Sequence, residues 1–387
     1  MNSYIISIGT ATPDHCFDQL KLTDFMAKSI DLNEEERIRL EALYRATGIK
    51  SRYSVLKDFG LSPDNYIFFP GDPKISPFPG TQSRMRIYQK EALPIAKKAL
   101  EDCFKNVSHT LSQKITHVIT VSCTGMYAPG LDIEIIHYLG LAGSTSRTSI
   151  NFMGCYAVFN ALKTADAFCR ANPEAVVLIV SVELCTIHYQ NSGDWDQIVS
   201  NAIFGDGAAA CLLTGRISGD KALRLDSFFC DIEPKGKDDM TWQIGDSGFE
   251  MTLSGYVPDL IKGGIKALMT KLLSKVATRN QPIDLYAIHP GGKRILEVIE
   301  EELAIPKIAN RHAYSVLANY GNMSSATILF VLKELLKELK KEDNDKSILS
   351  MAFGPGLTLE SMLLRTVARS QPEPSAETII NSSFEQV

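Results

Sequence analysis

The stretch SINFMGCYAVFNALKTADAF, residues 149–168, sets the reading of the whole chain. Its extended apolar run breaks at Met153 and Gly154, and apolar residues then recur at helical spacing from Cys155 onward. A strand that turns directly into a helix has this pattern. The same rhythm surrounds it. Strands are expected in ITHVITVSCTG (115–125), AVVLIVSVELC (175–185) and GDGAAACLLTG (205–215), and helices in RMRIYQKEALPIAKKALEDCF (84–104) and DIEIIHYLGL (132–141). Strands that are apolar almost throughout, alternating with helices, argue for an α/β fold whose sheets are covered on both faces.

Downstream of the hydrophilic GRISGDKALR (215–224) the order repeats, which puts a boundary near residue 217. Strand ALRLDSFFCD (222–231) precedes helix VPDLIKGGIKALMTKLLSKV (257–276), strand DLYAIHPGG (284–292), and helices 293–303 and 322–339. Strands KSILSMAFGPG (346–356) and TLESMLLRTV (358–367) close the run. Each half ends in a Gly-x-Gly turn feeding an apolar strand, FGDGAAACLL and FGPGLTLESMLL, a hint of duplication. Two halves are expected, 1–217 and 218–367, followed by a Pro/Ser/Glu-rich tail, 368–387, expected to be disordered. Residues 60–80 read as a long Pro/Gly-rich surface loop.

Composition narrows the function classes. A net charge of -5 and the absence of any basic run argue against nucleic acid as a partner. MNSYIISIGTATPD has no basic region leading into a long apolar one, and no later stretch has the apolar length of a membrane span, so a soluble cytoplasmic protein is expected. The eight cysteines show no CxxC and no Cys/His cluster at zinc spacing; reduced thiols and no metal site are expected.

Three polar positions carry chemistry. Cys155 sits where helix N-terminal amides could stabilise a thiolate and lower its pKa, although Cys123, in TVSCTG at another strand end, has nearly the same claim. His289 lies just past the apolar strand of DLYAIHPGG, where α/β sheets gather ligands; a structural histidine reads equally well. Asn322 opens the helix of NMSSATILF and could simply cap it. Taken together they make a coherent set. Cysteine accepts an acyl group, and a histidine with an asparagine amide can donate hydrogen bonds to a thioester carbonyl. Such donors suit decarboxylation of a malonyl thioester, because loss of CO₂ leaves an enolate oxygen to be stabilised.

GCYAVFNAL around Cys155, IFGDGAAA (203–210), IHPGGKRILE (288–297), YGNMSSATILFVL (320–332) and FGPGLTLE (353–360) resemble the type III polyketide synthases, the chalcone synthase-like branch of the thiolase superfamily. The resemblance runs in order over about residues 1–367. It implies a homodimer with a thiolase fold, five-layered αβαβα from two similar halves. It also implies iterative decarboxylative condensation of malonyl-CoA onto an acyl-CoA starter loaded on Cys155, with His289 and Asn322 as the decarboxylation and oxyanion pair. The products implied are an alkylpyrone or a resorcinol or phloroglucinol ring, and CoA thioesters are substrates, with no metal or redox cofactor.

By the same resemblance Phe204 gates the CoA tunnel, Thr124 and Ser324 line the cavity, and Gly354 and Gly356 shape it. Lys50 meets CoA phosphates, with Arg45 and Arg52 as neighbouring candidates. The chain departs from the plant pattern in ways that look bacterial. Met251 stands where a second gatekeeping Phe is usual, Cys185 and His188 replace small polar groups, and Trp242 falls near a position that is small in chalcone-forming enzymes. These departures weaken a chalcone product and favour a fatty acyl starter. A single-round condensing enzyme of the ketoacyl synthase III type, a silent acyl-binding protein on the same scaffold, and a cysteine hydrolase are the competing readings.

Overall fold

The computed structural model describes residues 2–71, 77–217, 219–255, 257–274 and 283–368. Residues 369–387, nearly all of the expected disordered tail, lie outside the described residues, as do 72–76 of the expected loop. Among the described residues the main sheet has nine strands. In spatial order they are Leu285–Ile288, Ser347–Gly354, Thr358–Ala368, Lys221–Ile232, Ser3–Ala11, Asp206–Thr214, Val176–Leu184, His117–Ser122 and Ser146–Asn151.

The duplication hinted at by the glycine turns is present in the pairing. Outward from Ser3–Ala11 the neighbours are antiparallel, antiparallel and parallel, and outward from Lys221–Ile232 they follow the same succession. The first half adds one more parallel strand, Ser146–Asn151, at the edge. The halves meet edge to edge where Ser3–Ile5 pair with Leu223–Leu225.

Alternation along the strands decides the layers. Ile119, Val177 and Ile179 of the first half and Ile348, Met362 and Leu364 of the second point into one core with Phe159 and Leu162 of helix Ala157–Ala171 and Leu329 and Leu332 of helix Thr327–Glu338. These two helices form the middle layer. Val118, Leu178 and Val180 point the other way, onto helix Thr81–Phe104. Leu349, Met351 and Phe353 likewise face helices Val257–Ser274 and Lys293–Leu303. Helix, sheet, helix, sheet, helix is the five-layered thiolase arrangement.

Elements that sequence reading missed include helices Leu22–Ser29, Trp195–Ile203 and Arg311–Tyr320, the hairpin Met240–Gly245 with Gly248–Leu253, and the paired short strands His15–Asp18 and Ser51–Ser54. The expected loop is not purely a surface feature, because Phe69 and Phe78 pack with Phe25 and Tyr189 in an aromatic cluster.

Strand Ser3–Ala11 lies so close to helix Thr81–Phe104 that a Cβ on Gly9 would stand 2.1 Å from the Ala99 carbonyl oxygen and from the Cys103 nitrogen. Both are backbone atoms with nowhere to move. Gly9→Ala is therefore expected to cost about 3 kcal/mol or more, lowering Tm by several degrees or abolishing folding. Gly143→Ala, whose Cβ would meet nothing within 4 Å, is expected to leave Tm unchanged in the same thermal melts.

Candidate active site

Three chain junctions converge on one cavity. Cys155 lies in the short turn Gly154–Tyr156 between edge strand Ser146–Asn151 and helix Ala157–Ala171. His289 follows strand Leu285–Ile288 directly, its backbone N–H held by the Met351 carbonyl at 2.8 Å. Asn322 stands between helices Arg311–Tyr320 and Thr327–Glu338. All three side chains line a pocket enclosing about 1230 Å³ of space, open mouth included.

Gly154 makes the first junction possible. Its φ is +79°, and a Cβ there would lie 2.2 Å from Cδ of Pro355. Only glycine meets both conditions. Cys123 braces the same turn: its sulfur accepts the Gly154 N–H at 2.9 Å. Cys123 is thus committed to backbone, whereas the Cys155 sulfur faces Asn322, whose Nδ2 is 3.8 Å away. The orientation of that amide is fixed, because the Ser324 N–H donates to Oδ1 at 2.8 Å. Nδ2 is left facing the sulfur and the Gly291 carbonyl, 3.2 Å distant.

His289 is buried and, among the described residues, neither ring nitrogen has a hydrogen-bond partner. Burial pushes it down to about 3, so the ring is neutral, with one N–H to give and one lone pair to accept. Burial likewise pushes Cys155 up to about 11, against smaller opposing effects of Asn322 and Ser324. The expectation that helix amides lower the Cys155 pKa is therefore corrected. Desolvation outweighs them, and the residue sits in the middle of a 3₁₀ turn rather than at the start of the regular helix.

Phe204 lines the pocket and pairs with Asn322 as an isolated parallel bridge. Thr124, Cys185, His188, Ser324, Trp242 and Met251 also line it. Trp242 and Met251 are cross-strand partners on the hairpin, so the face that carries them, with Phe249, forms one wall. His188 does not offer a free nitrogen. Its Nε2–H donates to the Thr124 carbonyl at 2.7 Å, and Nδ1 accepts the Phe249 N–H at 2.9 Å. Gly354 and Gly356 are not in the lining; Phe353 and Pro355 are. Gly354 instead leaves room for Tyr156, 2.6 Å from where its Cβ would be, and Gly356 takes a turn with φ +71°.

The basic candidates separate. Arg52 is 6% exposed, and its guanidinium donates to Gln19 and to the carbonyls of Asn201 and Phe204. It is a buried brace beneath Phe204, which corrects its reading as a surface phosphate contact. Arg45 is exposed and 3.7 Å from Glu41. Lys50 is exposed near Lys293, which abuts Gly48 and starts the helix whose Ile295 lines the pocket.

Sequence reading missed Glu183. It is fully buried and accepts hydrogen bonds from Ser325 Oγ, from Thr124 Oγ1 at 2.7 Å and from the Cys123 N–H at 3.0 Å. A lone carboxylate in a nine-residue strand that is buried at every position was the available signal. Among the described residues no group of three or more His, Cys, Asp or Glu could hold a metal ion.

Residues 2–216 match the family described as chalcone and stilbene synthases, N-terminal domain, and residues 225–368 match the corresponding C-terminal domain. The chain belongs to the chalcone and stilbene synthase family. It is 30% identical over 373 residues to the alpha-pyrone synthesis polyketide synthase-like Pks18 of Mycobacterium tuberculosis, covering 94% of this chain and 91% of that protein. A putative chalcone synthase of Bacillus subtilis is 28% identical over 372 residues, covering 93% of this chain and 98% of that protein. Among solved structures, the C-terminal type III polyketide synthase domain of Steely1 from Dictyostelium superposes with a TM-score of 0.84 at 27% identity, covering 95% of this chain and all of that one. The 1,3,6,8-tetrahydroxynaphthalene synthase of Streptomyces coelicolor gives 0.80 at 27% identity, covering 95% and 99%. The protein is a type III polyketide synthase, and the single-round condensing reading gives way to it.

Burial raises Glu183 from 4.5 to about 7. Across that window the folded carboxyl keeps a proton that the unfolded one has lost, so its contribution to stability falls as pH rises and levels off above about 7. Glu183→Gln is expected to flatten the decline of Tm between those pH values. An unchanged slope in the variant would show that Glu183 is ionised throughout.

Proposed function

We propose that this synthase loads an apolar acyl-CoA starter on Cys155, extends it iteratively with malonyl-CoA, and releases an alkylpyrone. The observation that carries the starter is the lining of the cavity beyond the cysteine. Past Thr186 and Tyr189 it continues to Phe17, Leu22, Phe25, Met26 and Phe59. An apolar recess of this kind suits a hydrocarbon chain, while Trp242 in the same lining takes the space of a bulky aromatic starter. The pyrone product is supported by the activity in the name of the Mycobacterium relative. Ring closure to a resorcinol or phloroglucinol would need further extension in the space that Trp242 occupies.

In this reading the Cys155 sulfur attacks the starter thioester while its proton is relayed through the unpartnered nitrogen of His289 to the CoA sulfur, which leaves as its thiol and returns His289 to the neutral form. Malonyl-CoA then places its thioester oxygen between the N–H of His289 and Nδ2 of Asn322. Breaking the bond to the carboxylate leaves an electron pair that becomes an enolate on that oxygen. With CO₂ released, the enolate carbon attacks the acyl group and expels the Cys155 thiolate, leaving the extended chain on CoA; that thiolate then takes the chain back from CoA for the next round. The dry surroundings strengthen both donors at the moment negative charge forms. The chemistry requires neither metal nor redox cofactor.

Exposed Lys50, and Lys293 at the start of the helix whose Ile295 lines the pocket, are the proposed contacts for CoA phosphates, with Arg45 as a neighbouring candidate. A homodimer is supported by the edge strand Ser146–Asn151, whose outer side has no partner strand among the described residues, and by Met126 and Met153, 42% and 36% exposed beside it. Among the described residues no helix is long and apolar enough to cross a membrane. The free cysteines suit a cytoplasmic setting.

Mass spectrometry of products from a panel of acyl-CoA starters with labelled malonyl-CoA tests the reading. Apolar starters with two added C2 units are expected; products confined to one added unit would refute iteration. Cys155→Ala should form none. Because neutral His289 acts as an N–H donor in decarboxylation, His289→Gln is expected to retain part of the malonyl-CoA decarboxylation that His289→Ala loses, by roughly tenfold or more. Equal loss in both variants would point to a basic nitrogen instead.

A further inference from the structure

One wall of the cavity is held from outside it by a buried cation. Arg84, in the first turn of helix Thr81–Phe104, is 0% exposed and does not line the pocket. Its Nη1 donates to the carbonyls of Ile187 and Tyr189, the latter at 2.9 Å, and Nε donates to the Pro79 carbonyl at 2.8 Å. The two Nη1 acceptors are the residues on either side of His188. Among the described residues no carboxylate pairs with Arg84, and Nη2 has no hydrogen-bond partner. A bare guanidinium in the interior is costly, so the peptide dipoles it gathers are held tightly.

The same turn grips the hairpin. A Cβ on Gly248 would lie 2.7 Å from Arg84 Cδ, so the hairpin backbone rests on the arginine stem. Thr81 closes the joint: its N–H donates to the Asp246 carbonyl at 2.8 Å, its hydroxyl donates to the Gly245 carbonyl, and that oxygen accepts the Gly248 N–H at 2.9 Å. The two elements held in this way meet inside the cavity. His188 stacks on Phe249 with centroids 4.2 Å apart and planes 10° apart, and Trp242 stands edge-on to both.

We infer that Arg84 and Thr81 are positioning residues for chain-length selection, fixing the His188–Phe249–Trp242 wall from behind without touching substrate. The inference rests on the reading that this cavity holds the growing acyl chain. A rigid wall sets how much chain fits before cyclisation competes with extension. Loosening the joint lets the ring stack recede and enlarges the space available.

The test compares wild type with Thr81→Val and Arg84→Lys, each checked for folding by circular dichroism. Three quantities are read: the rate of Cys155 acylation, the ratio of kcat/KM for long against short acyl-CoA starters, and the distribution of products over number of extensions. Acylation by a short starter is expected to stay within about twofold. The starter ratio or the mean number of extensions is expected to shift toward longer chains, by about tenfold in ratio, the scale of one methylene in a fitted pocket. A merely structural weakening would lower all rates together and leave both ratios unchanged, and that result would overturn the inference. If Arg84→Lys does not fold, Thr81→Val, which deletes only a hydroxyl, decides alone. A wild type that makes no extended products would refute the function proposed above, a result distinct from unshifted ratios.

Discussion

The bridge between Phe204 and Asn322 is the contact on which the site depends. The Asn322 N–H donates to the Ile203 carbonyl, and the Gly205 N–H donates to the Asn322 carbonyl, both at 3.0 Å. Two backbone hydrogen bonds thereby bring a residue of the second half over the cysteine of the first. The approach is tight enough to dictate neighbours. Gly321, with φ +69°, has no room for a side chain beside Arg52 and the Ile203 carbonyl. Arg52 then ties the Phe204 carbonyl to Gln19 and Asn201, which rigidifies the bridge from below. Any motion between the halves would be felt first at the Cys155–Asn322 distance.

The second organising effect is dryness. Cys155 and His289 are each held in the neutral form by burial, and burial pushes Glu183 up to about 7, with no partner charge responsible. Hydrogen-bond donors in such surroundings interact strongly with a developing negative oxygen, because no water competes. The cost is a thiol that is hard to ionise. His289, whose ring nitrogens have no hydrogen-bond partner among the described residues, lines the same cavity.

What the sequence made legible follows from what burial does to local pattern. The sheet strands read clearly because they are apolar on both faces, and the layer order followed from their alternation with helices. Cys155, His289 and Asn322 were singled out because each lies where an element ends and because the three make one chemical set within family-like text; residue type alone did not separate Cys155 from Cys123. The hairpin that carries Trp242 and Met251 was missed because exposed Ile244 and buried Met240 lie on the same strand, which blurs its period. Arg52 and Arg84 were not legible as interior groups. Most of their acceptors are backbone carbonyls from segments more than 100 residues away, which no local pattern encodes. The thiol pKa was misjudged for a related reason, since helix position is visible in sequence and desolvation is not.

The central claim is that Cys155, of the three thiols lining this cavity, carries the acyl chain. Peptide mapping by mass spectrometry after a brief incubation with a medium-chain acyl-CoA, without malonyl-CoA, addresses it directly. The account predicts a mass increase equal to the acyl group on the peptide containing Cys155 and none on those containing Cys123 or Cys185. Acylation of Cys123 or Cys185 with Cys155 unmodified would contradict it.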